Sequence, residues 1–340
     1  MNATVLRFPV WPIIVLIVIA GCINKAEASH LQVDMRSNGK SRAVADIKTG
    51  ASKNTKWGYC YEPDVKIIKM KDNEYHSYDC QVESGWTGYF EIYRNDRKIY
   101  SERIKNGKFS VYDLNDLPPE DSQKRPPEKD INGDGIPEMV MERHIGTGQF
   151  TDRYSYPIYS IGKSVRKVVT IEGMYSPMKF IDLDGDDLYE ITGEDWVLAY
   201  FFGDFLSSPH PTIILKWQKG GYRLGFKLMK KLSPTKEELK KKAEDLRKSL
   251  EESIGPFPEG YILNIPHYVH TEAWSYLVDL IYAGNAKAAW KFLDMYWIIP
   301  PGCTNFKEKQ KEKRWFIAAF KKQLTRSPYW KDLKILNSWH

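Results

Sequence analysis

Apolar and polar residues alternate along much of the middle of the chain, and this period of two is typical of β-strands that bury one face. The pattern predicts strands at 90–94, 98–100 and 109–112, separated by Asn95-Asp96 and Asn106-Gly107. Because Asn, Asp and Gly favour tight turns, these strands are expected to form an antiparallel meander. Further strands are predicted at 139–143, 156–160, 167–171, 191–194, 212–217 and 222–226, with Gly220-Gly221 turning the last pair.

After Leu232 the apolar residues recur every three or four positions, which is the period of amphipathic helices. Ser233-Pro234-Thr235, followed by two Glu residues, supplies the start of a charged helix that runs to about Ser253. Short amphipathic helices are not stable alone, so they must pack together or against a sheet. Three more helices are predicted at 271–283 with Gly284 ending it, at 306–326, and at 328–336 with Ser327 as cap; a fourth begins after Asn285.

These patterns predict an α+β protein in which a β-rich repeat domain precedes an all-α domain. The β-rich domain covers 56–231 and is expected to be a partial or small β-propeller-like array, or a β-sandwich. The helical domain covers 232–340. Residues 23–55 are polar and lack a periodic pattern, so they are interpreted as a flexible tether. With 42% hydrophobic residues, a chain of 340 residues can fill two packed domains.

Two nine-residue loops, at 130–138 (the first loop) and 182–190 (the second loop), place oxygen side chains at positions 1, 3, 5 and 9. Positions 4 and 6 hold Gly or Asp, which allow a tight turn. Ca²⁺ takes about 6 to 8 oxygen ligands, which four side chains, the carbonyl at position 7 and water can supply, whereas Mg²⁺ prefers stricter octahedra. The predicted Ca²⁺ ligands are Asp130, Asn132, Asp134, Ile136 and Glu138 in the first loop, and Asp182, Asp184, Asp186, Leu188 and Glu190 in the second.

The second loop carries more negative charge than the first. Asp184 stands where the first loop has Asn132, and Asp187 stands where the first loop has Gly135. The second of these positions usually needs a positive φ, which costs Asp roughly 1 kcal/mol. Because an extra carboxylate near a divalent ion outweighs this cost, the second loop is predicted to bind Ca²⁺ more tightly.

Both loops, with the strands that follow them at 139–142 and 191–193, resemble the calcium loops of FG-GAP and VCBS-type repeats. Such repeats occur in integrin-like β-propellers and in many bacterial surface proteins. This chain has two loops, ends each with Glu instead of Asp, and lacks a clear Phe-Gly...Gly-Ala-Pro segment. The resemblance implies a non-catalytic scaffold at a cell surface, in which the metal holds the blades.

A short apolar segment lies near the N-terminus. Arg7 precedes this apolar run, which ends in Ile19-Ala20-Gly21-Cys22 and is too short for a stable membrane span. The first 22 residues therefore resemble a bacterial lipoprotein signal peptide. Residues 19–22 match a lipobox, which implies that Cys22 becomes the lipidated first residue and anchors the protein to the membrane. An ordinary secretory signal or an uncleaved anchor are the alternatives. Ile23 after the cysteine favours the outer membrane or cell surface.

Cysteine usage is consistent with export. The four cysteines are Cys22, Cys60, Cys80 and Cys303, and the second and third flank a segment that can fold as a hairpin around 71–73. In an oxidising compartment, a disulfide between Cys60 and Cys80 would close a loop of about twenty residues and contribute roughly 3 kcal/mol. We predict this pairing, which leaves Cys303 as a buried or inert thiol.

Composition and sequence motifs limit the classes of function that we expect for this chain. The net charge of +6 is too small to indicate a nucleic-acid partner, and the chain has no Gly-x-Ser-x-Gly, P-loop or His-Glu-x-x-His motif. We therefore expect a lipid-anchored bacterial envelope protein, not an enzyme, whose Ca²⁺-stabilised β scaffold binds a protein or glycan partner. Two alternatives stay open: an envelope hydrolase that acts on polysaccharide or peptidoglycan and uses Ca²⁺ structurally, and an assembly module formed by the helical segment.

Overall fold

Three antiparallel sheets follow one another along the chain in the computed structural model, which describes residues 54–55, 58–59, 61–70, 72–82, 85–105, 107–112, 114, 128–146, 152–254, 270–298 and 306–339. A short pair of strands, β1 (Asn54–Thr55) and β2 (Gly58–Tyr59), comes before them. The first sheet is a meander of β3 (Tyr61–Met70), β4 (Asn73–Val82), β5 (Gly85–Arg94) and β6 (Arg97–Lys105).

The second and third sheets repeat the four-stranded pattern. The second contains β7 (Gly107–Val111), β9 (Glu138–Ile145), β10 (Arg153–Ile161) and β11 (Val165–Met174), and the short β8 (Glu128–Lys129) also pairs with β9. The third contains β12 (Lys179–Ile181), β13 (Glu190–Glu194), β14 (Thr212–Gln218) and β15 (Gly221–Leu224).

Helices follow the sheets, which confirms the predicted α+β class with helices mainly in the C-terminal part. A short 3₁₀ turn at Trp196–Leu198 comes first, in the connection between β13 and β14 of the third sheet. The α-helices are α1 (Phe226–Met229), α2 (Lys236–Ile254), α3 (Thr271–Tyr282), α4 (Ala286–Tyr296), α5 (Phe306–Leu324) and α6 (Trp330–Leu336).

Turn chemistry accounts for several strand and helix ends. Asn95 and Asp96 both have positive φ, at 50° and 59°, as a tight turn between β5 and β6 requires. The turn before β15 lies one residue earlier than predicted, because Lys219 and Gly220 carry the positive φ angles and Gly221 already belongs to the strand. The predicted hairpin of 90–94 with 98–100 is therefore confirmed, but the expected third strand of that meander is wrong: β7 pairs with β9 in the second sheet and not with β6.

Helix caps agree with the sequence in one case and differ in two. Thr235 Oγ1 accepts the Glu238 amide at 3.2 Å, and Glu238 Oε2 accepts the Thr235 amide at 2.7 Å, which is a capping box at the start of α2. The last helix begins at Trp330 and not at 328, with Tyr329 as its N-cap residue and no side-chain cap; Ser327 Oγ accepts the Tyr329 amide at 3.0 Å in the turn before it. Asn285 precedes α4 without capping it by its side chain, because the side-chain amide of Asn285 donates to the Lys231 carbonyl at 3.0 Å instead.

The second sheet lies between two hydrophobic cores. Met139 and Met141 of β9 are buried with Phe90 of the first sheet. Val140, on the opposite face of the same strand, is buried with Ile191 of the third sheet. Neighbouring residues of a strand point to opposite faces, so β9 contributes alternate side chains to the two cores.

The second of these cores continues from the third sheet into the helices. Leu215 of β14 and Trp274 of α3 belong to the same buried cluster. Trp274 is 2% exposed and stacks on Phe316 of α5, with 4.9 Å between the ring centroids. Apolar packing therefore crosses residue 232, where the sequence changes period, and all described residues belong to one compact unit.

Several predictions concern residues outside the described part of the chain. These are the lipoprotein signal with Cys22, most of the tether, Cys60 and Cys303. Asn54 and Thr55, the last two residues of the predicted tether, form β1. Cys80 is buried and disulfide-bonded, and its pairing with Cys60 stays a prediction. No helix in the described ranges is long and apolar enough to cross a membrane.

Candidate metal centre

The structure folds both predicted calcium loops at corresponding places in two sheets. The first loop connects β8 to β9, and its last residue, Glu138, is the first residue of β9. The second loop connects β12 to β13, and Glu190 is the first residue of β13. Each loop therefore leads into the second main strand of its sheet, and position 9 is held by the strand.

The residue at position 1 organises each loop. Asp130 accepts the amides of Gly133 at 2.7 Å and Gly135 at 2.9 Å, one with each carboxylate oxygen. Asp182 does the same in the second loop, where it accepts the amides of Gly185 at 2.7 Å and Asp187 at 3.0 Å. An Asp carboxylate that accepts amides two to five residues ahead curls the backbone around itself, which is why Asp opens both loops.

Positions 3 and 5 continue this local pattern. Asn132 Oδ1 accepts the Asp134 amide at 2.9 Å, and Asp134 Oδ1 accepts the Ile136 amide at 2.9 Å. In the second loop Asp186 Oδ1 accepts the Leu188 amide at 3.1 Å. Each of these carboxylates keeps another oxygen that the loop amides do not use.

The turns have the backbone angles that the sequence predicts. Gly133 and Gly185 at position 4 have φ of 79° and 75°. At position 6, Gly135 has φ of 81° and Asp187 has φ of 65°. The prediction that Asp187 adopts a left-handed conformation is therefore correct, and the two loops share one backbone course despite their different residues.

The glutamates at position 9 are the most buried members of the site. Both are fully buried. Glu138 Oε2 accepts the Ile131 amide at 3.2 Å, and Glu190 Oε2 accepts the Leu183 amide at 2.8 Å, so each carboxylate lies beneath its own loop. The amide of the second residue of each loop is thus held by the carboxylate at position 9.

Glu138 has a buried oxygen that the described residues leave unsatisfied. Its Oε1 atom has no hydrogen-bond partner among them. Burial, together with the negative charges of Asp134 and Asp130, raises the pKa of Glu138 to about 7. Burying a carboxylate oxygen without a partner costs free energy, and a divalent cation between Glu138, Asp134 and Asp130 would remove that cost.

Lys216 of β14 distinguishes the second loop, and the loop sequence alone does not reveal it. Its ammonium group donates to Asp184 at 2.9 and 2.8 Å and to Asp186 at 2.6 Å. It also lies 2.9 Å from Glu190 Oε1, as an ion pair that is not aligned for a hydrogen bond. Partial burial opposes the charged form, but the close contacts of the ammonium group with Asp184, Asp186 and Glu190 outweigh it and raise the pKa of Lys216.

The acidic groups of the second loop are close enough to surround one ion. Ligand oxygens of Asp182, Asp184 and Glu190 all lie within 4.8 Å of one another. The donor set is entirely oxygen, which suits a hard cation such as Ca²⁺. Among the described residues, the acids of the second loop are the group that converges this closely. The first loop offers the same kind of oxygen donors, with Asn132 in place of Asp184, and the two loops also differ in the cationic side chain beside the second.

The two loops lie side by side. The Tyr189 amide donates to the Ile131 carbonyl at 3.2 Å, and Lys129 Nζ donates to Tyr189 Oη at 2.9 Å. Leu188 covers Gly133 so closely that a Cβ at Gly133 would lie 2.9 Å from Leu188 Cδ2. A change of conformation in one loop would therefore alter the contacts made by the other.

Comparisons of this chain with models of protein families, with curated proteins and with solved structures give no match.

Proposed function

We propose that this protein is a calcium-stabilised binding module of the bacterial envelope, held to the membrane by lipid at Cys22. The observation that carries the proposal is Glu138 Oε1, a fully buried carboxylate oxygen without a hydrogen-bond partner in the described chain. It lies in a loop whose other acidic groups already bend the backbone into a ring. A bound Ca²⁺ would give this oxygen a partner and would neutralise the charges around it.

In this proposal Ca²⁺ acts on the fold and not on a substrate. Glu138 begins β9, the strand that contributes to both cores through Met139 and Val140. An ion in the first loop would therefore stabilise the middle sheet and, through the contact of Ile131 with Tyr189, the second loop as well. Extracellular modules commonly bind Ca²⁺ with Kd on the order of 10⁻⁴ to 10⁻³ M, which suits a compartment where the ion is plentiful.

The partner surface that we favour is the segment 195–211, which connects β13 to β14. Leu206 is 77% exposed and Tyr200 is 57% exposed. In the same segment the Trp196 ring is parallel to Phe205, with centroids 4.8 Å apart, and stacks with His210 at 4.7 Å, while the exposed Tyr200 ring lies 5.7 Å from Phe205. An exposed ring supported by neighbouring aromatic rings suits the apolar face of a sugar, so we propose a glycan as the partner.

The calcium part of the proposal is tested by calorimetric titration of Ca²⁺ into protein from which EGTA has removed metal. We expect binding in the range given above. At Ca²⁺ concentrations about 100 times Kd, ligand linkage predicts a gain of about 2.7 kcal/mol in the free energy of unfolding, seen as a higher melting temperature. Asp130→Ala should remove the first loop's share of this gain, because Asp130 holds that loop together through two amides.

The matched control is Asp204→Ala. Asp204 is an exposed Asp that accepts the Ser207 amide at 2.8 Å in a turn away from both loops. This variant should keep the full response to Ca²⁺. Absence of heat and of any thermal shift up to 10 mM Ca²⁺ (a concentration about tenfold above the weakest expected Kd) would show that the loops are only acidic turns.

The glycan part is tested by co-sedimentation with purified peptidoglycan and by titration with soluble envelope polysaccharide, in buffer that contains Ca²⁺. We expect binding to at least one probe, and Tyr200→Ala should weaken it about tenfold or more, as loss of an aromatic anchor usually does. Trp315→Ala is the control, because Trp315 is 69% exposed on α5 but lies outside the segment. Equal losses in both variants, or no binding to either probe, would contradict the assignment.

A further inference from the structure

The second loop contains a positive charge supplied by the protein itself. Lys216 Nζ lies within 2.9 Å of oxygens from Asp184, Asp186 and Glu190, which are positions 3, 5 and 9 of the loop. These are the positions whose oxygens would bind Ca²⁺. The ammonium group thus lies where the side chains of this loop converge.

Among the described residues, no cation has the equivalent place in the first loop, and strand pairing shows why. Glu138 pairs with Ser160 across β9 and β10. In the third sheet Ile191 pairs with Leu215, so Glu190 and Lys216 are the next residues on each strand and face one another in the same way. Across this pairing the residue opposite position 9 is a buried Ser in one repeat and a Lys in the other. On its other side Glu138 pairs with Lys129 of β8, but the Lys129 ammonium group donates to Tyr189 Oη at 2.9 Å, and Glu138 Oε1 keeps no hydrogen-bond partner among the described residues.

We propose that Lys216 is a built-in cation that closes the second loop without metal, so that Ca²⁺ binds first to the first loop. This inference rests on the proposed function, because it concerns the same calcium loops. The number of carboxylates alone predicts that the second loop binds Ca²⁺ more tightly, and this inference reverses that order. The count includes Asp184 and Asp186 but leaves out the lysine that neutralises them.

Competition between Lys216 and Ca²⁺ follows from tethering. An ammonium group held on β14 has a high effective concentration at the loop and has little translational freedom left to lose. Ca²⁺ carries twice its charge, yet it must displace the ammonium group from three carboxylates and release it to solvent. The second loop is thereby ordered at any Ca²⁺ concentration, and the response to Ca²⁺ comes from the first loop.

The decisive variant is Lys216→Met, which keeps an unbranched apolar stem and removes the charge. In calorimetry of EGTA-treated full chain, the wild type should show one Ca²⁺ site that Asp130→Ala removes and Asp182→Ala retains. Lys216→Met should gain a second site, at least about tenfold tighter than any second site of the wild type. Without metal this variant should melt at a lower temperature than the wild type, and Ca²⁺ should restore the difference.

Two further variants complete the experiment. Lys98→Met removes a lysine paired with Glu91 at 2.9 Å in the first sheet, and it should leave the number of Ca²⁺ sites unchanged. Lys216→Met combined with Asp130→Ala should bind one ion, in the second loop. Thermal melts show whether each variant folds, so a missing site is not mistaken for unfolding.

The outcomes separate this inference from the proposed function. If the wild type binds two ions and Lys216→Met changes neither affinity, the built-in cation is wrong while calcium binding stands. If the single wild-type site is lost in Asp182→Ala and kept in Asp130→Ala, the order of the loops is the reverse of the one proposed. If neither the wild type nor Lys216→Met binds Ca²⁺, the proposed function itself fails.

Discussion

Replacing Glu138 by Gln should stabilise the metal-free protein and at the same time abolish its response to Ca²⁺. Glu138 is fully buried, and its Oε1 atom lacks a partner among the described residues. Without metal, its charge is therefore a cost. At pH 8, above the raised pKa of this carboxyl, removing the charge should increase the free energy of unfolding by about 1–3 kcal/mol. The first loop then lacks its buried ligand, so we expect at least about a hundredfold loss of Ca²⁺ affinity.

Glu190→Gln is the matched comparison, because Glu190 has the same place in the second loop but lies 2.9 Å from Lys216. Glu190→Gln leaves the Lys216 ammonium group with one carboxylate fewer around it. The metal-free protein should therefore lose stability in this variant, whereas it gains stability in Glu138→Gln. Urea denaturation in EGTA and in 10 mM Ca²⁺ measures both changes, the second condition lying about tenfold above the weakest Kd expected for such a site. If both variants destabilise the metal-free protein equally, Glu138 has a partner and the central argument for the first loop fails.

Replacing Asp195 by Ala should destabilise the protein by about 3 kcal/mol or more. Asp195 is 3% exposed, and its Oδ2 atom accepts hydrogen bonds from Tyr282 at 2.7 Å and Ser327 at 2.5 Å. Its Oδ1 atom accepts the Val197 amide at 3.0 Å. The substitution leaves three donors without this acceptor, and each buried donor left unsatisfied costs about 1–3 kcal/mol. Because Tyr282 ends α3 and Ser327 precedes α6, this one carboxylate connects the third sheet to two helices.

The pH dependence of Asp195 gives an independent check. Burial raises its pKa, although the bonds from Ser327, Tyr282 and Val197 oppose the shift. Between the ordinary pKa of Asp and the raised value, the folded protein binds more protons than the unfolded chain. Its free energy of unfolding therefore falls as pH rises through that window. Asp195→Asn lacks this contribution, so the free energy of unfolding of this variant should depend less on pH in that window.

Local patterns were enough to predict the long strands from β5 onward and the longer helices of this fold, but not the short β8, β12 and α1, nor the sheet that β7 joins. The hairpin turn at Asn95 and Asp96, the capping box of Thr235 and the left-handed residue at Asp187 each depend on a few neighbouring residues. The ring of oxygens in each loop is also local, because Asp130 and Asp182 bend only the backbone that follows them. Such features can be read from spacing because the atoms involved are close in the chain.

The contacts that distinguish the two loops and connect the sheets to the helices join distant parts of the chain, so the sequence alone does not reveal them. Lys216 meets Asp184 across 32 residues, and Ser327 meets Asp195 across 132. Neither lysine nor serine is unusual at its position, so no pattern identifies them before the strand pairing is known. For the same reason, the sequence showed that the second loop carries more negative charge than the first. It did not show that Lys216 neutralises part of that charge.

The place of β9 between two cores also affects how the chain assembles. A slip of this strand by one residue would move Val140 to the side of Met139 and Met141 and would exchange the contents of both cores at once. Glu138 is the last residue of the first loop and the first residue of β9. A cation held there fixes where the strand starts, so Ca²⁺ would select the correct strand alignment during folding before it supports the finished protein.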